Sequence, residues 1–196
     1  MSKKEKMICK PAGNRKKRKW VSLFVTLATI LLIAVLINMA VIFFFSSESK
    51  EESGTRSTGI VKKLTYLLYP DYDSYDWDTQ MELMASTHHA VRKLAHFSEF
   101  GLLGFLITAL ILYINRRKHW IKLWLEWVIP MAFCLLYAIS DEVHQIFSER
   151  GPSVKDVLID FAGSVTGILL MHAIAAIVRT AKRRRERRKC KTPATG

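Results

Sequence analysis

The apolar residues of this chain fall in blocks, without the spacing of an amphipathic surface helix or strand. Val21 to Phe45 is one such block, broken only by Ser22, Thr26, Thr29 and Asn38. About 20 apolar residues in a helix cross a bilayer core, so residues 21–45 are predicted to form a first span. A cleaved signal segment has a shorter apolar stretch, about 7–15 residues, that ends in small residues. This one ends in Phe43-Phe44-Phe45, which favours an uncleaved anchor. Leu94 to Ile114, Leu123 to Ile139 and Val157 to Val178 predict three further spans, with Pro130 bending the middle one. Buried helices of a soluble protein are the competing reading of these shorter blocks. The long first block beside them, and the charges that flank all four, favour the membrane. The predicted fold is all-α: a polytopic bundle of four transmembrane helices.

The first two spans are joined by a long link over residues 46–93. Its first part, 46–59, reads as a polar loop without a core. Ile60 to Tyr69 suits a short interfacial helix that stops at Pro70, with Tyr66, Tyr69, Tyr72, Tyr75 and Trp77 at headgroup level. Thr79-Gln80-Met81-Glu82 has capping-box spacing and predicts a helix start at Thr79. Run unbroken to Ile114, that helix is about 52 Å long, well over the ~30 Å of hydrocarbon.

Composition alone points elsewhere. The 196 residues carry 30 Lys+Arg against 17 Asp+Glu, a formal net charge of +13, and half of them are hydrophobic. That apolar content excludes a disordered chain. Cys9, Cys134 and Cys190 are too few and too far apart for a disulfide scaffold. Such a charge suggests a nucleic-acid binder or a membrane-surface protein.

Placement decides between them. Of the 30 basic residues, 22 lie before the first span, between the second and third, or after the fourth. The opposite links, 46–93 and 140–156, hold most of the acids. Basic residues accumulate on cytoplasmic flanks, so both termini are expected in the cytoplasm. Trp20, Trp120, Trp124 and Trp127 fall at the same ends, where amphipathic rings prefer to lie. The basic tails then read as contacts to anionic lipid, and no nucleic-acid partner is expected. The organisation is a basic tail (1–20), a first span (21–45), an outer link (46–93), a three-helix core (94–178) and a second basic tail (179–196).

Ionisable residues inside spans are costly and are functional candidates by default. Arg92, His96 and Glu99 fall on one stripe of the second span, with His88 and His89 extending it outward. The third span ends in Ser140-Asp141-Glu142-Val143-His144-Gln145, where Asp141 and Gln145 are one turn apart. The fourth begins at Lys155-Asp156, with Asp160 a turn further in. All three polar ends are expected at the outer face, and the link carrying Arg150 is short enough to keep spans three and four adjacent. Gly163 and Gly167 continue the stripe of Asp156 and Asp160. With Gly101 and Gly104 on the second span they allow close helix approach, pressing Asp160 against His96 or Arg92.

Three readings of this cluster stay open. It is a salt-bridge network that docks the helices, a trap for an anionic headgroup built on Arg92, Arg150 and His96, or a divalent-metal site of His and carboxylates. No Ser-His-Asp order, His-Glu-x-x-His, phosphate loop or Cys-pair zinc spacing is present. No catalytic residue, metal ligand or cofactor is therefore assigned.

Arg92-Lys93-Leu94-Ala95-His96-Phe97-Ser98-Glu99-Phe100-Gly101 resembles the first signature of the VanZ-like membrane proteins. Ser140-Asp141-Glu142-Val143-His144-Gln145-Ile146-Phe147, then Arg150, Lys155 to Asp160, Gly163 and Gly167, resembles the second. Phe45-Ser46-Ser47 fits as well, although the family often has Gln where Glu48 stands. The link Ser148-Glu149-Arg150-Gly151-Pro152 departs from the common Pro-Gly-Arg order. The resemblance covers about residues 40–175 and leaves out the basic tails. It implies a small multi-pass protein of the bacterial cytoplasmic membrane, in a family whose name-giver is associated with low-level resistance to teicoplanin. It carries over no catalytic residues. The resulting expectation is an envelope protein whose outer polar site engages an anionic lipid headgroup or cell-wall precursor and lowers glycopeptide susceptibility. That site comprises Arg92, His96, Glu99, Asp141, Glu142, Gln145, Arg150, Asp156 and Asp160. The alternative is a membrane enzyme acting on a lipid-linked substrate through the same His and carboxylates.

Overall fold

The computed structural model describes residues 13–47, 50–118, 120–145 and 153–191. They form the α-helices α1 (Gly13–Ser47), α2 (Lys50–Leu68), α3 (Trp77–Lys118), α4 (Leu125–Gln145) and α5 (Val154–Lys191). A single 3-10 turn, Tyr72–Ser74, sits between α2 and α3. No strand occurs among the described residues.

Three segments are long and apolar enough to cross a membrane: Val21–Ser47, Trp77–Arg116 and Val154–Arg187. Helix α4 lies where the third span is expected, but its 21 residues include Glu126, Asp141 and Glu142, and it is not one of those three. The distribution of side chains inverts that of a water-soluble bundle. Ile33, Phe44, Leu136, Leu169 and Ile177 face outward, while Asp141, Glu142, Asp160, Thr108 and Ser164 are buried. An exposed apolar patch of that extent needs a nonaqueous partner, and a lipid surround supplies one.

Two boundaries differ from those expected. The segment 46–59 is not a loop: α1 continues to Ser47 and α2 begins at Lys50. Pro70 closes the element as expected. Helix α3 starts at Trp77 because Asp76, not Thr79, is its cap. The Asp76 carboxylate accepts the Thr79 amide at 3.2 Å and the Thr79 hydroxyl at 2.7 Å. Those two bonds hold the Asp76 carboxyl below its ordinary range. The 42 residues of α3 extend about 63 Å, so its first turns stand clear of a ~30 Å hydrocarbon layer.

Helix α3 is the axis of the bundle and packs against all four others. Its closest neighbour is α5, and the glycines explain why. A Cβ on Gly167 would collide with the Gly101 carbonyl, and one on Gly163 with the Phe97 carbonyl. The backbones thus touch without side chains between them, the arrangement that small residues permit between membrane helices. On the other flank of α3, Phe100, Leu103 and Ile107 meet Val35 and Ile42 of α1 and Cys134 and Ala138 of α4. Tyr137 ties α4 to α1 by donating to the Met39 carbonyl at 2.8 Å.

Candidate functional site

Helix register brings the polar residues together. On α3 the stripe of Arg92, His96 and Glu99 turns toward α5, because Gly101 of the same helix is held against Gly163 and Gly167. Asp160 lies one turn before Gly163 and is only 3% exposed. The C-terminal turn of α4 closes the third side with Asp141, Glu142 and Gln145, all buried. Arg92, Lys93, His96, Gln145, Asp156 and Asp160 line one small cavity at this end of the bundle.

Each predicted site residue except Arg150 can be placed. His96, Asp141 and Asp160 come from three different helices, and one donor atom from each lies within 4.8 Å of the other two. Glu99 faces His96, with 4.0 Å between its carboxylate and the imidazole Nδ1. Gln145 donates to Asp141 Oδ2 at 3.0 Å, as one-turn spacing requires. Asp156 pairs with Lys93 at 3.6 Å. Glu142 accepts the Ser153 amide at 2.5 Å and so holds the start of α5, while its other oxygen is buried without a hydrogen bond. Arg150 lies outside the described residues. His88 and His89 do not line the cavity.

Sequence reasoning left out one contributor. Ser46, fully buried at the end of α1, donates to Asp141 Oδ2 at 2.8 Å. Its neighbour Ser47 hydrogen-bonds His144 at 3.0 Å, and the His144 ring stacks on Phe43 with centroids 4.3 Å apart. Helix α1 is therefore a wall of the site and not a separate anchor. The available signal was the pair of serines closing an otherwise apolar run at the depth of the other polar ends.

A second polar cluster, which the sequence reading did not identify, sits toward the other end of the bundle. Asn115 donates to Glu126 Oε1 at 2.6 Å and to the Ile121 carbonyl at 2.9 Å, and accepts the Ile121 amide at 3.0 Å. It thereby shapes the α3–α4 link. His172 of α5 stacks flat on Trp127 with centroids 3.6 Å apart.

Electrostatically the two ends differ. At the cavity, Asp141, Asp156, Glu142 and Glu99 all lie close enough for their charges to act on Asp160. Among the described residues the cations facing them are Arg92 and Lys93, and Lys93 is engaged with Asp156. The walls can therefore hold a cationic group directly, and an anionic one on the side of Arg92 and Lys93.

A family model described as VanZ/LLP1 matches residues 21–177, which take in every residue that lines the cavity and the α3–α5 glycine contact. No curated protein and no solved structure matches the chain. On the match over most of its length, and on helices built to cross a bilayer, the chain is a membrane protein of the VanZ/LLP1 family.

Proposed function

We propose that the protein is a multi-pass component of the bacterial cytoplasmic membrane that engages an anionic lipid headgroup or cell-wall precursor at its polar cavity. In this reading α4 is a fourth crossing, both termini are cytoplasmic and the cavity opens on the outer face. The excess of basic residues before Val21, between Asn115 and Leu123, and after Val178 supports that orientation. Engagement of the headgroup lowers susceptibility to glycopeptides such as teicoplanin by changing what the drug meets at the membrane surface. The carrying observation is the cavity itself: Arg92 and Lys93 line it together with buried Asp160, where the middle of α3 meets the end of α4 and the start of α5.

A deletion strain complemented with variants tests this reading. The wild-type gene is expected to restore teicoplanin tolerance, whereas Arg92→Ala and Asp160→Asn fail to do so at normal membrane abundance. Full protection by both variants would contradict it, and loss of abundance would assign the cluster to helix docking.

The closeness of His96, Asp141 and Asp160 favours a second reading, a membrane enzyme that acts on a lipid-linked substrate. An imidazole beside two carboxylates can shuttle a proton or ligate a catalytic metal. Turnover of a lipid-linked pyrophosphate by purified protein, lost in His96→Ala, would support it over binding alone.

A further inference from the structure

The headgroup reading leaves a charge to be explained. The cavity is acid-rich, and its two innermost carboxylates are nearly dry: Asp141 is 4% exposed and Asp160 3%. Burial of an ionised carboxylate is costly unless it is paired or coordinates a metal. Asp141 meets part of that demand through Ser46 and Gln145, both of which donate to Oδ2. The Asp160 carboxylate accepts no hydrogen bond among the described residues, although it lines the cavity. Buried Glu142 adds an oxygen without a partner. Lys93, which also lines the cavity, is held by Asp156 at 3.6 Å.

We propose that His96, Asp141 and Asp160 form a divalent-cation site, and that the cation is the group through which the cavity holds an anionic oxygen. The second half rests on the headgroup reading; the first stands on the geometry alone. One donor from each residue lies within 4.8 Å of the other two. Tetrahedral ligands held at about 2.0–2.2 Å by one ion, as imidazole nitrogen and carboxylate oxygen are, lie about 3.3–3.6 Å from each other. The donors, now within 4.8 Å of one another, therefore close by up to about 1.5 Å, which side-chain torsions supply. A doubly charged ion balances the two aspartates. One imidazole with two carboxylates suits Mn²⁺ or Zn²⁺ better than Ca²⁺, which takes six to eight oxygens. Three protein ligands leave coordination positions open, and the cavity places Arg92 and Lys93 beside them. A phosphate oxygen entering there meets the cation and two basic side chains at once.

The three donors also sit on three helices that touch at this end. The cation therefore acts as a clamp, and its removal loosens the ends of α3, α4 and α5 against one another.

The test uses the full-length protein in detergent, stripped with a chelator and titrated with Mn²⁺ followed by electron paramagnetic resonance, with Zn²⁺ as competitor. Wild type is expected to bind one Mn²⁺ per chain and to unfold at a higher temperature when loaded. Asp160→Asn, nearly isosteric, is expected to weaken binding by more than about tenfold and to lose the metal-dependent rise in unfolding temperature. Asp141→Asn gives a second variant should the first fail to fold. Absence of a tight Mn²⁺ or Zn²⁺ site in folded wild type, or equal binding by both variants, overturns the cation site. Retention of vesicles containing phosphatidylglycerol is then measured with and without chelator. Retention that needs the metal supports both halves. Binding of the metal with no effect on vesicles upholds the site and overturns its role in the headgroup reading. Retention without any metal site overturns the inference and leaves the headgroup reading standing.

Discussion

Ser46, the penultimate residue of α1, donates a 2.8 Å hydrogen bond to Asp141 near the end of α4. Both partners are buried, so the first helix is fastened to the cavity by a charge-assisted bond in a dry setting. Ser46→Ala removes that donor and leaves Asp141 with Gln145 alone on Oδ2. Interhelical bonds of this kind in membranes are worth roughly 0.6–1.7 kcal/mol. A loss of that size is expected in detergent unfolding. In a double-mutant cycle, Ser46→Ala and Asp141→Asn should be non-additive. Additive losses would separate α1 from the site.

The α3–α5 contact is a backbone contact, so its tolerance to volume is low. Gly167→Ala drives a methyl group into the Gly101 carbonyl, and neither backbone can move without shifting Asp160 relative to His96. Overpacking of this sort costs about 1–3 kcal/mol. The expected outcome is a lowered unfolding temperature together with loss of function, whereas Gly59→Ala, which meets nothing nearby, is neutral in packing. An unchanged melt for Gly167→Ala would contradict the close approach.

The start of α3 responds to acid. Thr79 donates two hydrogen bonds to the Asp76 carboxylate, so its pKa in the folded protein lies below the ordinary 3.8. A group whose folded pKa is depressed stabilises fully above its unfolded value and loses that contribution as pH falls through the folded value. The difference in unfolding temperature between wild type and Asp76→Ala is therefore expected to be constant near neutrality and to shrink below pH 3.8. A difference that persists unchanged into stronger acid would mean that the capping hydrogen bonds do not depend on the charge.

The orientation is open to direct measurement. Cysteine introduced at Val154, exposed at the start of α5 near the cavity, and at Lys189, in the basic tail of α5, should react with an impermeant thiol reagent from opposite sides of intact cells. Cys134 is buried and stays silent, while Cys9 and Cys190 are replaced beforehand. Labelling of both positions from one side would remove the four-span topology.

What could be read from residue order follows the physics of each feature. Apolar runs such as Val21–Phe45 are legible because lipid selects composition over a fixed length. The α3–α5 contact was legible because a glycine every fourth position falls on one helix face. The one-turn spacing of Asp141 and Gln145 appeared as a hydrogen bond for the same reason. Helix α2 was not legible over residues 50–59, where polar side chains carry no periodic signal. Thr79 was mistaken for the cap of α3 because Asp76 also precedes a suitable partner by three residues, and spacing alone does not rank the two. Ser46 and the Asn115–Glu126 pair were missed because their partners lie across a link or across the bundle. Tertiary proximity of single polar residues leaves no local pattern.

The central claim is that the cavity between α3, α4 and α5 holds an anionic group. The most direct measurement is lipid binding by the full-length protein in nanodiscs of defined composition, read by native mass spectrometry after release. Wild type is expected to retain phosphatidylglycerol in preference to phosphatidylcholine. The Arg92→Ala, Lys93→Ala double variant is expected to lose that preference while its helical content and unfolding temperature stay close to wild type. Equal retention of anionic and zwitterionic lipid by wild type, or an undiminished preference in the folded double variant, would contradict the account.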